Sequence, residues 1–142
     1  MVGTIHKFTG DWKKDFTWEG ARTRLYQKTP TNQVSETWMI GKKEGAENFA
    51  FRFYQLTSGS HSKAEEHPYD HGILVLQGSG EVLMGKEVHS ISRGDIIYIP
   101  PDIWHQLRNT GEEPLGFLCV IPARRKKSGK SVWAEEGIQF EK

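Results

Sequence analysis

The sequence predicts an all-β protein built around a small antiparallel β-barrel. Between residues 49 and 122, short apolar segments are separated by turn signals roughly every eight to twelve residues, as in sandwiches and barrels. The same stretch shows no 3.6-residue periodicity of the kind that marks an amphipathic helix. Fifteen glycines and six prolines divide the chain into short pieces, which also favours strands joined by tight turns.

Six segments carry the strand pattern. The first alternates Phe49, Phe51 and Phe53 with other residues, a period of two. A later one stops at two prolines, which cannot donate hydrogen bonds to a sheet. In chain order the predicted strand segments are FAFRFYQL (49–56), ILVLQG (73–78), EVLMGKEVHSI (81–91, with a turn at Gly85), GDIIYIPP (94–101), HQLRN (105–109) and LGFLCVIP (115–122).

We expect a barrel over residues 38–122, an N-terminal extension over 1–37 and a C-terminal tail over 123–142. The extension contains weaker strand segments and large apolar side chains such as Trp12 and Trp18, which need a surface to cover them. It is therefore predicted to pack on the barrel or on a dimer partner. In the tail, the basic run RRKK is interpreted as a solvated loop.

Composition narrows the possible partners and location. The net charge of +1 gives no overall attraction to nucleic acid or to an acidic membrane, so we expect neither as a partner. No apolar run approaches the roughly 18 residues of a membrane helix, and no secretion signal is visible. The single cysteine, Cys119, excludes a disulfide within the chain and suits a reducing compartment. A cytoplasmic protein is the expectation.

The stretch EEHPYDH (65–71) places two histidines and three acids directly before an apolar strand. Glu65 and His67 are two residues apart, so on a strand they share a face. Pro68 disfavours a helical conformation at His67, which argues against a helical pair with His71. Two adjacent strands could therefore direct Glu65, His67 and His71 at one interior point.

The segment GDIIYIPPDIWHQLRN (94–109) resembles the second motif of the cupins, G-x5-P-x-G-x2-H-x3-N. Gly94, Pro100, His105 and Asn109 fall at the motif's spacing, and only its inner glycine differs, being Asp102 here. Because aspartate tolerates left-handed backbone conformations better than most residues, we expect the turn to survive. Asn109 is predicted to fix the following NTGEEP turn through its side chain.

The pattern E-x-H-x3-H-x6-G, from Glu65 to Gly78, is similar to the first motif of a cupin subgroup with H-x-H-x3-H, with Glu65 in place of the first histidine. The resemblance implies a double-stranded β-helix, or jelly roll, that holds a divalent transition metal: Fe, Mn, Zn, Ni or Cu. It also implies the ligands Glu65, His67, His71 and His105. Two alternatives stay open: Glu65 turned outward from a three-histidine site, and a metal-free barrel with hydrogen-bonded histidines.

The other polar residues are interpreted as structural. Arg52 could anchor a carboxylate if its face of the strand points inward, but the neighbouring phenylalanines favour an outward, surface position. Cys119 is predicted to be a buried, inert side chain, and His6 and His89 to be surface residues. The predicted wall of the pocket consists of Phe51, Phe53, Ile73, Val75 and Leu107.

The sequence thus predicts a metal-binding protein that acts on a small organic molecule in an apolar pocket. A dioxygenase is the favoured function, since no general base is evident beside the ligands. A metal-dependent isomerase or lyase is the alternative, and a non-catalytic ligand-binding or sensor module is a third. Because similar small cupins dimerise and the tryptophans need covering, we expect a homodimer.

Overall fold

The computed structural model describes residues 2–140, and its regular structure is almost entirely β. The largest sheet has six antiparallel strands in the order β1-β2-β3-β9-β4-β7, and a second sheet has the order β6-β5-β8. A two-stranded hairpin, β10–β11, follows. The strands are β1 Arg22–Thr29, β2 Asn32–Ile40, β3 Phe49–Leu56, β4 His71–Gln77, β5 Ser79–Met84, β6 Glu87–Ser92, β7 Ile96–Ile99, β8 His105–Arg108, β9 Leu115–Pro122, β10 Arg124–Lys127 and β11 Lys130–Trp133.

The two larger sheets enclose one apolar core, as the sequence predicts, although they do not close into a continuous barrel. The small sheet contributes Val82 and Leu107, and the large sheet contributes Val75, Ile99 and Phe117, all buried in the same cluster. On β4 the buried positions alternate with half-buried ones, so one face of the strand points into this core. The predicted all-β jelly roll is confirmed.

Two turn predictions are confirmed at the corner before β8 and at the end of that strand. Asp102 adopts a left-handed conformation with φ of 62°, so it replaces the motif's glycine without changing the turn. The buried Asn109 side chain donates from Nδ2 to the carbonyls of Leu56 (3.0 Å) and Glu113 (2.8 Å), and its Oδ1 accepts from the Gly111 N–H (2.9 Å). It therefore ties the turn to β3.

The N-terminal segment packs on the outer face of the six-stranded sheet in this same chain. The ring of Phe16 stacks on Phe53 of β3 with centroids 5.1 Å apart, and Trp18 lies 5.3 Å from the same ring. β1 and β2 continue the sheet, and β2 runs across position 38. The division of the chain at that position, and the homodimer, stay predictions.

The C-terminal segment also contacts the core. Phe140 meets Trp38 edge to face at 6.3 Å, and Ile138 packs against the same cluster. The run RRKK forms strand β10 instead of the predicted solvated loop, because it pairs with Lys130–Trp133 in a regular hairpin. Within residues 2–140, no helix is long and apolar enough to cross a membrane.

Candidate metal centre and its pocket

Three predicted ligands meet inside the core. His71 is the first residue of β4, His105 is the first residue of β8, and His67 lies in the connection that precedes β4. Their ligand atoms all lie within 4.8 Å of one another. His71 and His105 are buried and His67 is half-buried, so the cluster lies at the edge of the core.

Every ring in this cluster has its Nδ1 occupied. The Nδ1–H of His67 donates to the carbonyl of Tyr69 (2.7 Å), and that of His105 donates to the carbonyl of Ile103 (2.8 Å). Nδ1 of His71 forms a hydrogen bond with the Cys119 thiol (3.0 Å). The two carbonyl partners require a proton on Nδ1 of His67 and His105, so the Nε2 atoms of these neutral rings carry lone pairs, and His71 directs its own Nε2 to the same place.

Two of those Nε2 atoms, on His71 and His105, lie 3.2 Å apart. Two ring nitrogens at this distance share either a proton or a cation. Burial, followed by the electrostatic effect of the neighbouring His105 and Arg52, lowers the pKa of His71 to about 3, so this ring is neutral at neutral pH and able to bind a metal. Nitrogens bonded to one ion at about 2.0–2.1 Å lie roughly 3 Å apart, so the spacing fits a divalent metal.

Glu65 lies beside the cluster but outside the group of ligand atoms just described. Its backbone pairs with His105: the Glu65 N–H donates to the His105 carbonyl (3.1 Å) and the His105 N–H donates to the Glu65 carbonyl (2.9 Å). The residue is half-buried and lines the same pocket as His71 and His105. Its place as a fourth ligand stays a prediction.

The face of β3 that points inward is not the one that the sequence favours. Arg52 and Tyr54 line the inner cavities, whereas Phe53 and Phe51 belong to the outer aromatic cluster with Phe16. The prediction of a surface Arg52 and of Phe51 and Phe53 in the pocket wall is therefore wrong. The physical reason is that the N-terminal segment covers the phenylalanine face, so both faces of β3 are buried.

A buried carboxylate that the sequence analysis missed holds the inward face together. Glu36 on β2 is fully buried. Its Oε1 accepts from Arg24 Nε (2.8 Å) and from the indole N–H of Trp38 (2.6 Å), and its Oε2 accepts from the Tyr54 hydroxyl. The available signal was parity, because Val34, Glu36 and Trp38 alternate on one face of a strand.

Arg52 connects this carboxylate to the histidine cluster. Its Nη1 donates to the Tyr54 hydroxyl (2.6 Å) and its Nη2 donates to the Cys119 sulfur (3.2 Å), and the same thiol is hydrogen-bonded to His71. Burial raises the pKa of the Cys119 thiol. Cys119 is buried as predicted, yet its sulfur is a hydrogen-bond acceptor at the site and so is more than a small apolar side chain.

Two neighbouring cavities adjoin the histidines. The smaller one has a volume of about 40 Å³ and is walled by Ile73, Leu107 and Phe117, which confirms two of the predicted wall residues. Val75 is buried in the core and does not line it. The larger one, the inner cavity, has a volume of about 580 Å³ and shares with the smaller one the residues Tyr26, Arg52, Tyr54 and Glu65.

The inner cavity reaches from the cluster to the C-terminal hairpin. His67 and Tyr69 lie on its wall, with their rings stacked at 3.9 Å, and the hairpin strand β10 forms part of the opposite wall. Burial, with the charge of Glu65 nearby, raises the pKa of Tyr26 to about 12, so this phenol keeps its proton at neutral pH. The site therefore combines a candidate metal centre with protonated hydroxyls.

Comparison with known proteins identifies the relatives of this chain. Residues 52–121 match the Cupin_2 family, a cupin domain. The fold is similar to the crystal structure of a cupin-2 domain protein from Rhodospirillum rubrum, with a TM-score of 0.72 and 30% identity. That match covers 81% of this chain and 78% of the other.

Two curated enzymes are also similar in sequence. The 1-methylthio-D-xylulose 5-phosphate methylsulfurylase of Rhodospirillum rubrum is 38% identical over 76 residues, which are 54% of this chain and 49% of the enzyme. A glucose-6-phosphate isomerase of Thermococcus kodakarensis is 30% identical over 130 residues, 80% of this chain and 66% of the enzyme. The chain thus spans about half of the first enzyme's length. With both histidine motifs converging in one jelly roll, the chain belongs to the cupin family.

Proposed function

We propose that this cupin is a metal-dependent enzyme that rearranges or cleaves a small hydroxylated carbonyl compound in the inner cavity by proton transfer, without using dioxygen. The observation that carries the proposal is the convergence of three histidine ligand atoms within 4.8 Å, with the Nε2 atoms of His71 and His105 3.2 Å apart. His67, His71 and His105 would hold the ion, with Glu65 as the proposed fourth ligand. A divalent ion in that place supplies Lewis acidity to a substrate oxygen.

The protein's own groups support proton transfer. Tyr26 and Tyr54 line the cavities next to the histidines, and burial raises the pKa of both phenols, so each holds a proton that it can donate. Tyr54 is also oriented by its bonds with Glu36 and Arg52. The absence of an evident acid or base in the sequence, which favoured an oxygenase, no longer weighs against an isomerase or lyase.

The names of the two similar enzymes also favour chemistry without dioxygen. One is named for the isomerisation of glucose 6-phosphate and the other for a methylsulfurylase reaction on a xylulose 5-phosphate, and neither name describes an oxygenase. Both named substrates are sugar phosphates. An oxygenase and a non-catalytic binding module use the same pocket, and the experiment below separates them.

The first measurement is elemental analysis of purified wild type, of His105→Ala and of a control, His89→Ala, whose ring lies half-exposed away from the cluster. We expect near-stoichiometric Fe, Mn, Zn, Ni or Cu in wild type and in the control, and at least about a 100-fold weaker affinity in His105→Ala, since even outer-shell changes cost 10–100-fold. A wild type that takes up no metal on reconstitution overturns the proposal. The Glu65→Ala variant tests the fourth ligand.

The second measurement follows the chemistry. Metal-loaded protein is incubated with five- and six-carbon ketose and aldose phosphates in heavy water, and deuterium incorporation is followed by NMR while an electrode follows oxygen. Deuterium exchange without oxygen consumption supports proton transfer. Oxygen consumption means an oxygenase, and binding without either signal means a binding module.

The homodimer is proposed with this function. Its support is the number of large apolar side chains left exposed on the N-terminal segment: Val2, Ile5 and Trp12 are 88%, 79% and 54% exposed. Light scattering during size exclusion would give a mass near twice 16.2 kDa for a dimer, and the single-chain mass overturns it.

A further inference from the structure

We propose that the hairpin β10–β11 binds the phosphate group of the substrate, with Arg125 and Lys126 as its main cationic contacts at the outer end of the inner cavity. The inference rests on the proposed function, because it assumes that a substrate occupies this cavity. It adds a binding element from outside the family match, which ends at residue 121.

The hairpin lies on the wall of the inner cavity. Arg124, Arg125 and Lys126 of β10 and Ser131 of β11 line the inner cavity, whose wall also contains His67 of the metal cluster. The hairpin and the histidines therefore belong to one space of about 580 Å³, within the range of small-molecule sites. A molecule that reaches the histidines from this cavity has the hairpin within its reach.

The cationic side chains that line the cavity differ in whether a carboxylate neutralises them. Arg24 and Arg52 also line the cavity, but both face the carboxylate of Glu36, at 2.8 and 3.7 Å. Among residues 2–140, the side chains of Arg125 and Lys126 form no ion pair with a carboxylate. The hairpin thus brings uncompensated positive charge to a concave wall, where the field for an incoming anion is strongest.

An aromatic side chain beside the metal cluster also lies in this cavity. Tyr69 and Arg125 both line the inner cavity. Tyr69 in turn stacks on His67 with ring centroids 3.9 Å apart. Arg125 therefore shares a cavity with the aromatic ring that packs on His67, so one substrate in this cavity can face both the cation and the metal cluster.

The ligand chemistry follows from the groups on the hairpin. A phosphate monoester carries close to two negative charges at neutral pH and offers three oxygen acceptors. An arginine fork, an ammonium and the Ser131 hydroxyl match those charges and oxygens, whereas a single carboxylate would leave one cation unpaired. Arg124 plays a different part, because its guanidinium lies on the Trp133 ring at 4.0 Å and braces the hairpin.

The same hairpin provides a matched control. Lys127 and Lys130 are paired in register at its turn, and neither lines the cavity. The double variant Arg125→Gln/Lys126→Gln and the double variant Lys127→Gln/Lys130→Gln remove the same charge from the same element. A difference between them therefore reports the cavity and not the net charge of the hairpin.

The test is calorimetric titration of metal-loaded wild type and both double variants with glycerol 1-phosphate, inorganic phosphate and glycerol. We expect the Arg125/Lys126 variant to bind glycerol 1-phosphate at least about 10-fold more weakly than wild type, and the Lys127/Lys130 variant to change by less than about 2-fold. Glycerol should not bind measurably. Equal binding of inorganic phosphate would assign the site to free phosphate rather than to an ester, which contradicts a substrate anchor.

Metal content and thermal unfolding are measured on the same samples. Unchanged phosphate ester affinity in a folded, metal-loaded Arg125/Lys126 variant overturns this inference and leaves the proposed function standing. If the wild type binds glycerol 1-phosphate at the hairpin but holds no metal, the proposed function is overturned and the phosphate site stands. If the double variant unfolds, Arg125→Lys takes its place, because it keeps the charge but loses the fork, and it should weaken binding by a few fold.

Discussion

The two faces of the six-stranded sheet each border a cavity, and the two cavities are nearly equal in size. The inner one has a volume of about 580 Å³, and the outer one, between the sheet and the N-terminal segment, has about 550 Å³. Strand β3 serves both, since Phe51 lines the outer cavity and Arg52 the inner one. Volume alone therefore does not distinguish a functional site from a gap in packing.

The two cavities differ in the polar groups that line them. In the outer cavity, Glu44 and His6 bond to each other at 3.2 Å, and the remaining wall is mainly aromatic and aliphatic. His6, predicted as a surface residue, is instead only 11% exposed in its side chain because of this contact. On the inner side, by contrast, His67 of the cavity wall converges with His71 and His105, and the three ligand atoms lie within 4.8 Å of one another. A site is recognised by convergent groups that need a ligand.

The first prediction, which has the largest expected effect, concerns the carboxylate of Glu36 that organises the inner face of the sheet. Glu36→Ala leaves the Arg24 and Arg52 guanidiniums without their counter-charge and the Tyr54 hydroxyl without its acceptor. We expect the free energy of unfolding in urea to fall by about 5 kcal/mol, the upper end for a broken buried pair. The exposed Glu47→Ala is the control and should stay within about 0.5 kcal/mol. A loss below about 1 kcal/mol for Glu36→Ala would contradict this role.

The second prediction removes a side chain of similar burial from the outer face. Phe53→Ala deletes a ring that is 2% exposed and that contacts Phe16 and Trp18. The expected loss is about 3–4 kcal/mol in the same urea titration, through lost burial and the space left behind. Metal content of the folded fraction should not change, since the ring points away from the histidines. A drop in metal per folded chain would show that the two faces are coupled.

The sequence predicted the second histidine motif correctly but the orientation of strand β3 wrongly. The spacing of Gly94, Pro100, His105 and Asn109 depends only on local turns and strand parity, so it predicted the corner and the position of His105 correctly. The orientation of β3 was predicted wrongly because parity identifies two faces without saying which one is inside. That choice depends on the packing of residues 8–18 against the sheet, a contact between segments distant in sequence.

Glu36 escaped prediction for a related reason. A buried carboxylate is acceptable only with partners, and its partners Arg24, Arg52 and Tyr54 lie on two other strands that no local pattern connects to it. His67, His71 and His105 were found because the motif spacing supplied the long-range information that periodicity lacks. The sequence therefore identified the candidate metal cluster but not the polar network behind it.

The third prediction tests that network at its contact with the cluster. Cys119→Ala removes the hydrogen-bond partner of His71 Nδ1 and so frees the ring to turn. We expect metal affinity, measured by competition with a chelator, to fall by about 10–100-fold, as for other outer-shell contacts. Cys119→Ser keeps an acceptor and should lose less than Cys119→Ala. Equal losses in the two variants would mean that the sulfur acts through its size and not through the hydrogen bond.

The smallest expected effect belongs to the rim of the outer cavity. Trp12 is 54% exposed, and its ring stacks on Phe8 with centroids 4.2 Å apart and meets Phe16 edge to face at 5.6 Å. Trp12→Ala should lower the free energy of unfolding by about 1 kcal/mol, the usual value of an aromatic pair, and leave metal affinity unchanged. If it instead weakened metal binding or phosphate ester binding as much as Cys119→Ala does, the outer cavity would have to be counted as part of the site. The two faces of the sheet would then not be functionally separate.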